Sequence, residues 1–277
     1  DFAPGSGERD TWNDIVLRGR LHNAVRNLNP GVPEEYLDQA IGEVITPKSQ
    51  SAIAENRRIH QILVEGYRGI EYIDHEGNVQ NPTICFLSSH PHMNDYLSLN
   101  QVTVANLDGE RRFDVVCYVN GMPLAFIELK KTGANTSVEG AHNQLQTYVK
   151  EFGMAFRFAN IVIPSDDLSA KYGTPFTPWN HFAPWNVDED GSPIDPNNMV
   201  VAGEPVTQLD LLLDGLFNVE RFGQLYSDFT AFDDTAEGLV MRIAKPHQYF
   251  AVTKAVGSTI TAARGDKRAG VIWHTTG

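Results

Sequence analysis

The chain has 277 residues, enough for one large domain or for one domain and part of another. Its hydrophobic content of 42% supports a sizeable core, and its formal net charge of −13 argues against a general nucleic-acid coating role, which calls for a basic surface. That charge leaves room for a site built from carboxylates, but it implies weak binding to DNA by this chain alone. The two cysteines, Cys85 and Cys117, lie in apolar runs without zinc-site spacing and read as buried free thiols in a reducing cytoplasm. No stretch reaches the apolar length of a membrane span and no signal peptide opens the chain, so a cytoplasmic protein with no membrane partner is expected.

In chain order, residues 1–12 are polar and carry little regular signal. Residues 13–28 and 34–45 read as helices, with Pro33 at the start of the second. A third helical period, with Ile53, Ile59, Ile62 and Leu63, covers 51–66. Between 67 and 119, short β-forming runs separated by Gly77-Asn78, Asn81-Pro82 and Pro91 predict consecutive strands of a mixed sheet. Residues 113–131 read as a hairpin across Asn120-Gly121, a strong turn signal between two apolar runs. A helix should follow over 137–152, opened by a capping box at Thr136-Ser137-Val138-Glu139, and then a strand over 158–163. The Pro-, Gly-, Asp- and Asn-rich stretch 165–206 predicts an elaborated loop packed by Trp179 and Trp185. Residues 207–231 predict an apolar helix, 234–264 a mostly helical segment broken at Gly265-Asp266, and Gly270-Val271-Ile272-Trp273 the start of a buried strand. No internal repeat is evident.

The hairpin carries the chemistry. Glu128 and Lys130 are two apart in a strand and share a face, and both interrupt an otherwise apolar run. Charges there are costly unless they meet a partner, a metal or solvent. Asp114 interrupts the start of the partner strand in the same way. The pattern alone equally fits the exposed face of an edge strand. Phosphodiester hydrolysis needs a held metal ion and an activated water, and Mg²⁺ prefers oxygen ligands, of which one or two carboxylates suffice. The register of the hairpin is decisive. A two-residue Asn120-Gly121 turn, counted back without interruption, sets Asp114 opposite Ile127 and away from Glu128. A shared metal therefore requires a three-residue loop, which sets Asp114 opposite Phe126 and diagonal to Glu128, or a bulge that restores the face.

Asp114, a hairpin of this size and Glu128-Leu129-Lys130 together resemble the PD-(D/E)xK nuclease superfamily, with Phe113 where the motif's proline stands. The resemblance implies that Asp114 and Glu128 bind Mg²⁺ with the backbone carbonyl of Leu129, and that Lys130 assists the attacking water. Gln144 and Tyr148, four apart on the following helix, share a face and resemble the Gln-x-x-x-Tyr motif of RecB-like nucleases and type I restriction subunits, where the pair supports the site or contacts DNA. Nucleases of this class often carry a further Glu on an early helix; Glu43 is a substitute, or a solvated surface residue. Arg111-Arg112 and Lys131 could contact phosphate or form a solvated face. His90-Pro91-His92 with Asp95 reads as solvated or capping residues rather than a metal cluster.

The flanks extend the resemblance over nearly the whole chain. Asn94-Asp95-Tyr96, Asn100-Gln101, Tyr172-Gly173-Thr174 and His247-Gln248-Tyr249-Phe250 are similar to the restriction (motor) subunit of type I restriction-modification enzymes. Gly270–Gly277 is similar to the strand and first half of the Walker A loop in that family, and Gln248 resembles the adenine-reading glutamine of superfamily 2 helicases or is an ordinary helix residue. These implications give an α/β fold: a restriction-endonuclease-like mixed sheet flanked by helices over 1–228, then the start of a RecA-like ATPase domain over 229–277. The expected function is Mg²⁺-dependent DNA cleavage with methylation and specificity subunits as partners, and with ATP used only by the full-length protein; no ATP hydrolysis is expected from this chain, which ends before the Walker A lysine. The competing reading is an inactive nuclease-fold DNA-binding or scaffold module.

Overall fold

The computed structural model describes residues 3–107, 109–131, 137–166, 168–196, 199–201, 204–265, 267–268 and 270. Thr136, Asp266, the expected strand at 271–273 and the Walker-like end lie outside the described residues. The fold is mixed α/β, with a four-stranded sheet flanked by helices. Helices α1 (Arg18–Leu28), α2 (Glu34–Ile45) and α3 (Ala52–Glu65) come first. The helix expected over 13–28 starts only at Arg18: Ile15, Val16 and Leu17 are buried, and the Leu17 N–H donates to the Gly121 carbonyl at 2.8 Å instead of entering the helix. Ser51 caps α3, accepting from Ala54 N–H.

The expected run of strands over 67–119 is only partly realised in the main sheet. β1 (Tyr72–Ile73) and β2 (Val79–Gln80) form a separate two-stranded ribbon. β3 (Tyr96–Asn106), β4 (Gly109–Val119), β5 (Met122–Leu129) and β6 (Ile161–Ser165) form the sheet in that order. The first three are antiparallel and β6 runs parallel to β5, as the intervening α4 (Val138–Glu151) requires. Ser137 caps α4, accepting from Gly140 N–H at 3.1 Å, one residue later than the box expected to open at Thr136. β6 begins at Ile161 because 153–158 form a 3-10 helix. Phe113, Phe126 and Phe156 pack with ring centroids 4.6–5.6 Å apart, and Tyr148 of α4 stands edge-on to Phe113 at 5.5 Å. This aromatic cluster fixes α4 against the sheet beside the hairpin.

The described residues of the extension at 165–206 are mostly irregular, as expected, apart from β7 (Val200–Val201) and β8 (Glu204–Pro205), and they bury Trp185. The single helix expected over 207–231 is two, α5 (Gln208–Leu216) and α6 (Val219–Ser227), because Asn218 caps a new helix by accepting from Glu220 and Arg221 N–H. The mostly helical reading of 234–264 holds over 246–264 and is corrected over 234–243. β9 (Thr230–Thr235) and β10 (Gly238–Ile243) form an antiparallel hairpin before α7 (Pro246–Arg264). Runs of six residues do not separate helix from strand by period, whereas Gly238, at φ 122°, supplies the backbone a tight turn needs. The hairpin packs on α3 through Phe232 against His60 and the Asp234–Arg57 ion pair at 2.9 Å. Among the described residues no helix is long and apolar enough to cross a membrane.

Two expected results follow from this packing. Gly121 sits at φ 76°, and a Cβ there would lie 2.4 Å from the Leu17 carbonyl oxygen. Gly121→Ala should destabilise the chain by about 2–3 kcal/mol in urea unfolding; a loss under about 0.5 kcal/mol would show that the contact of turn and α1 is not as described. The thiols also differ. Cys85 is exposed, against the burial expected from its apolar run, because residues 81–85 lie outside the main sheet. Cys117 is partly buried in an apolar groove with Ile127, Leu129, Leu213 and Phe217, and burial pushes its thiol pKa up. A thiol reagent at pH 8 should label Cys85 well before Cys117; equal rates would contradict the placement of Cys117.

Candidate active site

The hairpin solves its register problem with a bulge. Asn120 (φ 51°) and Gly121 (φ 76°) form a two-residue turn with both residues left-handed, and Val119 pairs with Met122 and Tyr118 with Pro123. The register then shifts, and Cys117 pairs with Ala125, Val116 with Phe126 and Val115 with Ile127. Leu124 is the extra residue; its carbonyl accepts from Asn160 N–H at 2.8 Å. Pro123 has no N–H to give to a regular ladder, which makes this a low-cost place for the irregularity. Continued by one residue, the shifted register brings Asp114 opposite Glu128. Of the two devices the sequence allowed, the structure uses the bulge and not the three-residue loop. The turn itself is held by Asn120, fully buried, whose amide donates to the Phe86 carbonyl and Asn94 Oδ1 and accepts from Asp95 N–H.

Glu128 is 2% exposed. Burial, then the nearby Asp114 carboxylate, push its pKa up to about 7, against the opposing pull of Lys130. Lys130 Nζ lies 3.3 Å from Glu128 Oε1 and also donates to Gln144 Oε1. Gln144 in turn donates from Nε2 to the Tyr148 hydroxyl. One chain of contacts therefore runs Tyr148, Gln144, Lys130, Glu128. Burial raises the Tyr148 pKa, which keeps its hydroxyl protonated. Asp114 is oriented by two donors: Leu129 N–H to Oδ2 at 2.9 Å and Gln101 Nε2 to Oδ1 at 3.3 Å.

The structure thus brings together Asp114, Glu128, Leu129, Lys130, Gln144 and Tyr148. Other expected residues are engaged by other partners or exposed. Glu43 is paired with Lys48 at 2.9 Å. Arg111 is engaged by Glu151 at 2.7 Å and lies over the Phe152 ring, while Arg112 and Lys131 are exposed. Asp95 is bound by Arg20 at 2.7 Å, and Pro91–Met93 forms a 3-10 turn, so the histidine loop reads as structural. Gln248 is exposed and accepts from Lys245 N–H at 2.8 Å, capping α7. Gln101 was not marked as a site residue by the sequence, because a polar residue in a strand ordinarily reads as its solvent face.

The family model described as the type I restriction enzyme R protein N terminus matches residues 3–181. The chain belongs to this family. Members similar to it include the HindI endonuclease subunit of Haemophilus influenzae, a type I restriction enzyme, 30% identical over 99% of this chain and 26% of the relative. A Methanocaldococcus jannaschii protein, named as a candidate type I restriction enzyme MjaIXP endonuclease subunit, is 28% identical over the whole chain and 28% of the relative. A third, the SsaAORF53P endonuclease subunit of Staphylococcus saprophyticus, is 26% identical over 66% of this chain and 18% of the relative. The chain spans about a quarter of the length of the first two relatives. It is therefore an N-terminal restriction-subunit region, and the matched segment contains every residue of the hairpin site.

Proposed function

We propose that the chain is the Mg²⁺-dependent DNA endonuclease region of an ATP-dependent type I restriction enzyme, hydrolysing phosphodiester bonds at Asp114, Glu128 and Lys130. The observation that carries this is the bulge that sets Asp114 facing Glu128, with Lys130 held beside them by Gln144. The donor set fits a hard cation: two carboxylates and a main-chain carbonyl, with no thiol or imidazole. Asp114, Glu128 and the Leu129 carbonyl would hold the ion. Once bound, it would offset charge on the phosphorane-like transition state and lower the pKa of its water. Lys130 orients the attacking water and steadies the charge that develops on the phosphate oxygens. Gln144 fixes the ammonium of Lys130, and the Tyr148 hydroxyl fixes Gln144.

In the full-length protein this region would precede an ATP-driven motor beginning after about residue 228 and would work with methylation and specificity subunits, as the resemblance to the restriction subunit implies. Gln248 would serve that motor, its capping role in α7 leaving the assignment to nucleotide-binding tests. The inactive scaffold reading differs in needing no ion. Calorimetric titration of the 277-residue chain with Mn²⁺ separates the two. We expect one ion per chain, lost in Asp114→Asn. A chain that takes up no ion, or an Asp114→Asn variant that binds as well as the parent, would overturn the proposal.

A further inference from the structure

Gln101 stands in β3 between Asn100, which pairs with Val115, and Val102, which pairs with Phe113. The ladder is intact on both sides, and the residue it brackets on β4 is Asp114. Yet Gln101 adopts φ 56°, a left-handed conformation that a long unbranched side chain rarely takes inside a strand. There it turns its amide to Asp114, donating to Oδ1 at 3.3 Å. The opposite oxygen of the same carboxylate accepts from the Leu129 main chain at 2.9 Å. One donor on each oxygen fixes both the plane and the rotation of the carboxylate. A carboxylate has about four lone-pair sites, so two remain for a cation.

A merely solvent-facing Gln would need no such backbone. Leu, Thr or Lys at ordinary strand angles would continue β3 at lower cost. The conformation is explained by what the amide reaches, and what it reaches is a carboxylate that the main chain of β5 alone holds by one oxygen. We infer that Gln101 is a positioning residue for the metal site: it locks Asp114 in the orientation in which that carboxylate and Glu128 face a common ion. The inference rests on the proposed metal-dependent function. Partners that orient a ligating side chain typically change metal affinity about 10–100-fold when removed.

The test is Mn²⁺ titration by calorimetry of the 277-residue chain and two variants, alongside the thermal midpoint of each without metal. Gln101→Met keeps the length and the backbone strain but removes the donor. Gln101→Gly removes the donor and accepts the left-handed φ without strain, so its metal-free midpoint should not fall. Both variants should bind Mn²⁺ about tenfold more weakly than the parent. Weakening in only one variant, or parent-like affinity in both, would overturn the inference while leaving the metal site itself standing. A lowered midpoint with unchanged affinity would likewise overturn it, as the sign of a purely structural residue. Absence of binding by the parent chain would overturn both the inference and the function on which it rests.

Discussion

Replacing Asp114, Glu128 or Lys130 by Ala in the complete enzyme should reduce DNA cleavage by at least about 100-fold and leave ATP-driven translocation at its normal rate. The expectation follows from position. Asp114 and Glu128 face each other across the bulged hairpin, and Lys130 reaches Glu128 and Gln144. All three would serve the proposed metal site, and none lies beyond residue 228, after which the motor is proposed to begin. Measuring cleavage of closed circular DNA together with displacement of a translocation reporter separates the two activities. A variant at any of the three positions that still cuts at the normal rate would count strongly against the assignment. Gln144→Ala should behave differently in degree: it removes the partner that holds Lys130 but no proposed metal ligand, so cleavage should fall less than in Lys130→Ala.

Metal affinity should rise steeply with pH and level off near neutrality. Glu128 is held near pKa 7 by burial and by Asp114, so below that pH it is mostly protonated and must release a proton to accept a cation. Mn²⁺ affinity should therefore increase about tenfold per pH unit up to about pH 7, with close to one proton released per ion in calorimetry at pH 6 in buffers of different ionisation enthalpy. The same shift has a consequence for stability, and its sign is fixed. The folded pKa lies above the ordinary carboxylate value, so the folded chain keeps a proton that the unfolded chain has lost. The contribution of Glu128 to stability is fully present below about pH 4.5 and is lost as pH rises through 7. Glu128→Gln, which keeps the shape without the charge, should then stabilise the metal-free chain at pH 8 by about 1–3 kcal/mol while removing metal binding. A pH-independent affinity, or a Gln variant less stable than the parent at pH 8, would show that Glu128 is ionised without strain.

Much of this site was legible in the sequence. Charges at 128 and 130 inside an apolar strand, an Asp at the start of its partner and Asn-Gly between them define a hairpin with chemistry on it. The need for a three-residue loop or a bulge was also legible, because the two-residue turn and the facing carboxylates contradict each other in a regular ladder. Its place was not. That depended on Pro123 at the turn and on the Leu124 carbonyl finding Asn160, a contact between residues 36 apart in sequence. Gln144 and Tyr148 were legible as one helix face, but the sequence could not say that Gln144 would reach Lys130, since this depends on how the Phe113–Phe126–Phe156 cluster seats α4. Gln101 was legible only within the Asn100-Gln101 resemblance and with no role attached, because the role inferred for it lies in one backbone angle. The errors had a common physical cause. The helix read into 13–17, the fused helix at 207–231 and the helical reading of 234–243 each extended a short apolar run past the point where tertiary hydrogen bonds, a cap at Asn218 or a turn at Gly238 ended it.

The central claim is that Asp114 and Glu128 share one divalent ion, and crystals of the 277-residue chain soaked in Mn²⁺ and measured at the manganese absorption edge test it most directly. The account predicts one strong anomalous peak between the two carboxylates, about 2.1 Å from an oxygen of each and in contact with the Leu129 carbonyl, with Lys130 Nζ close to a coordinated water. A peak that touches only one of the two carboxylates, a peak elsewhere in the chain, or none at saturating Mn²⁺ would contradict it.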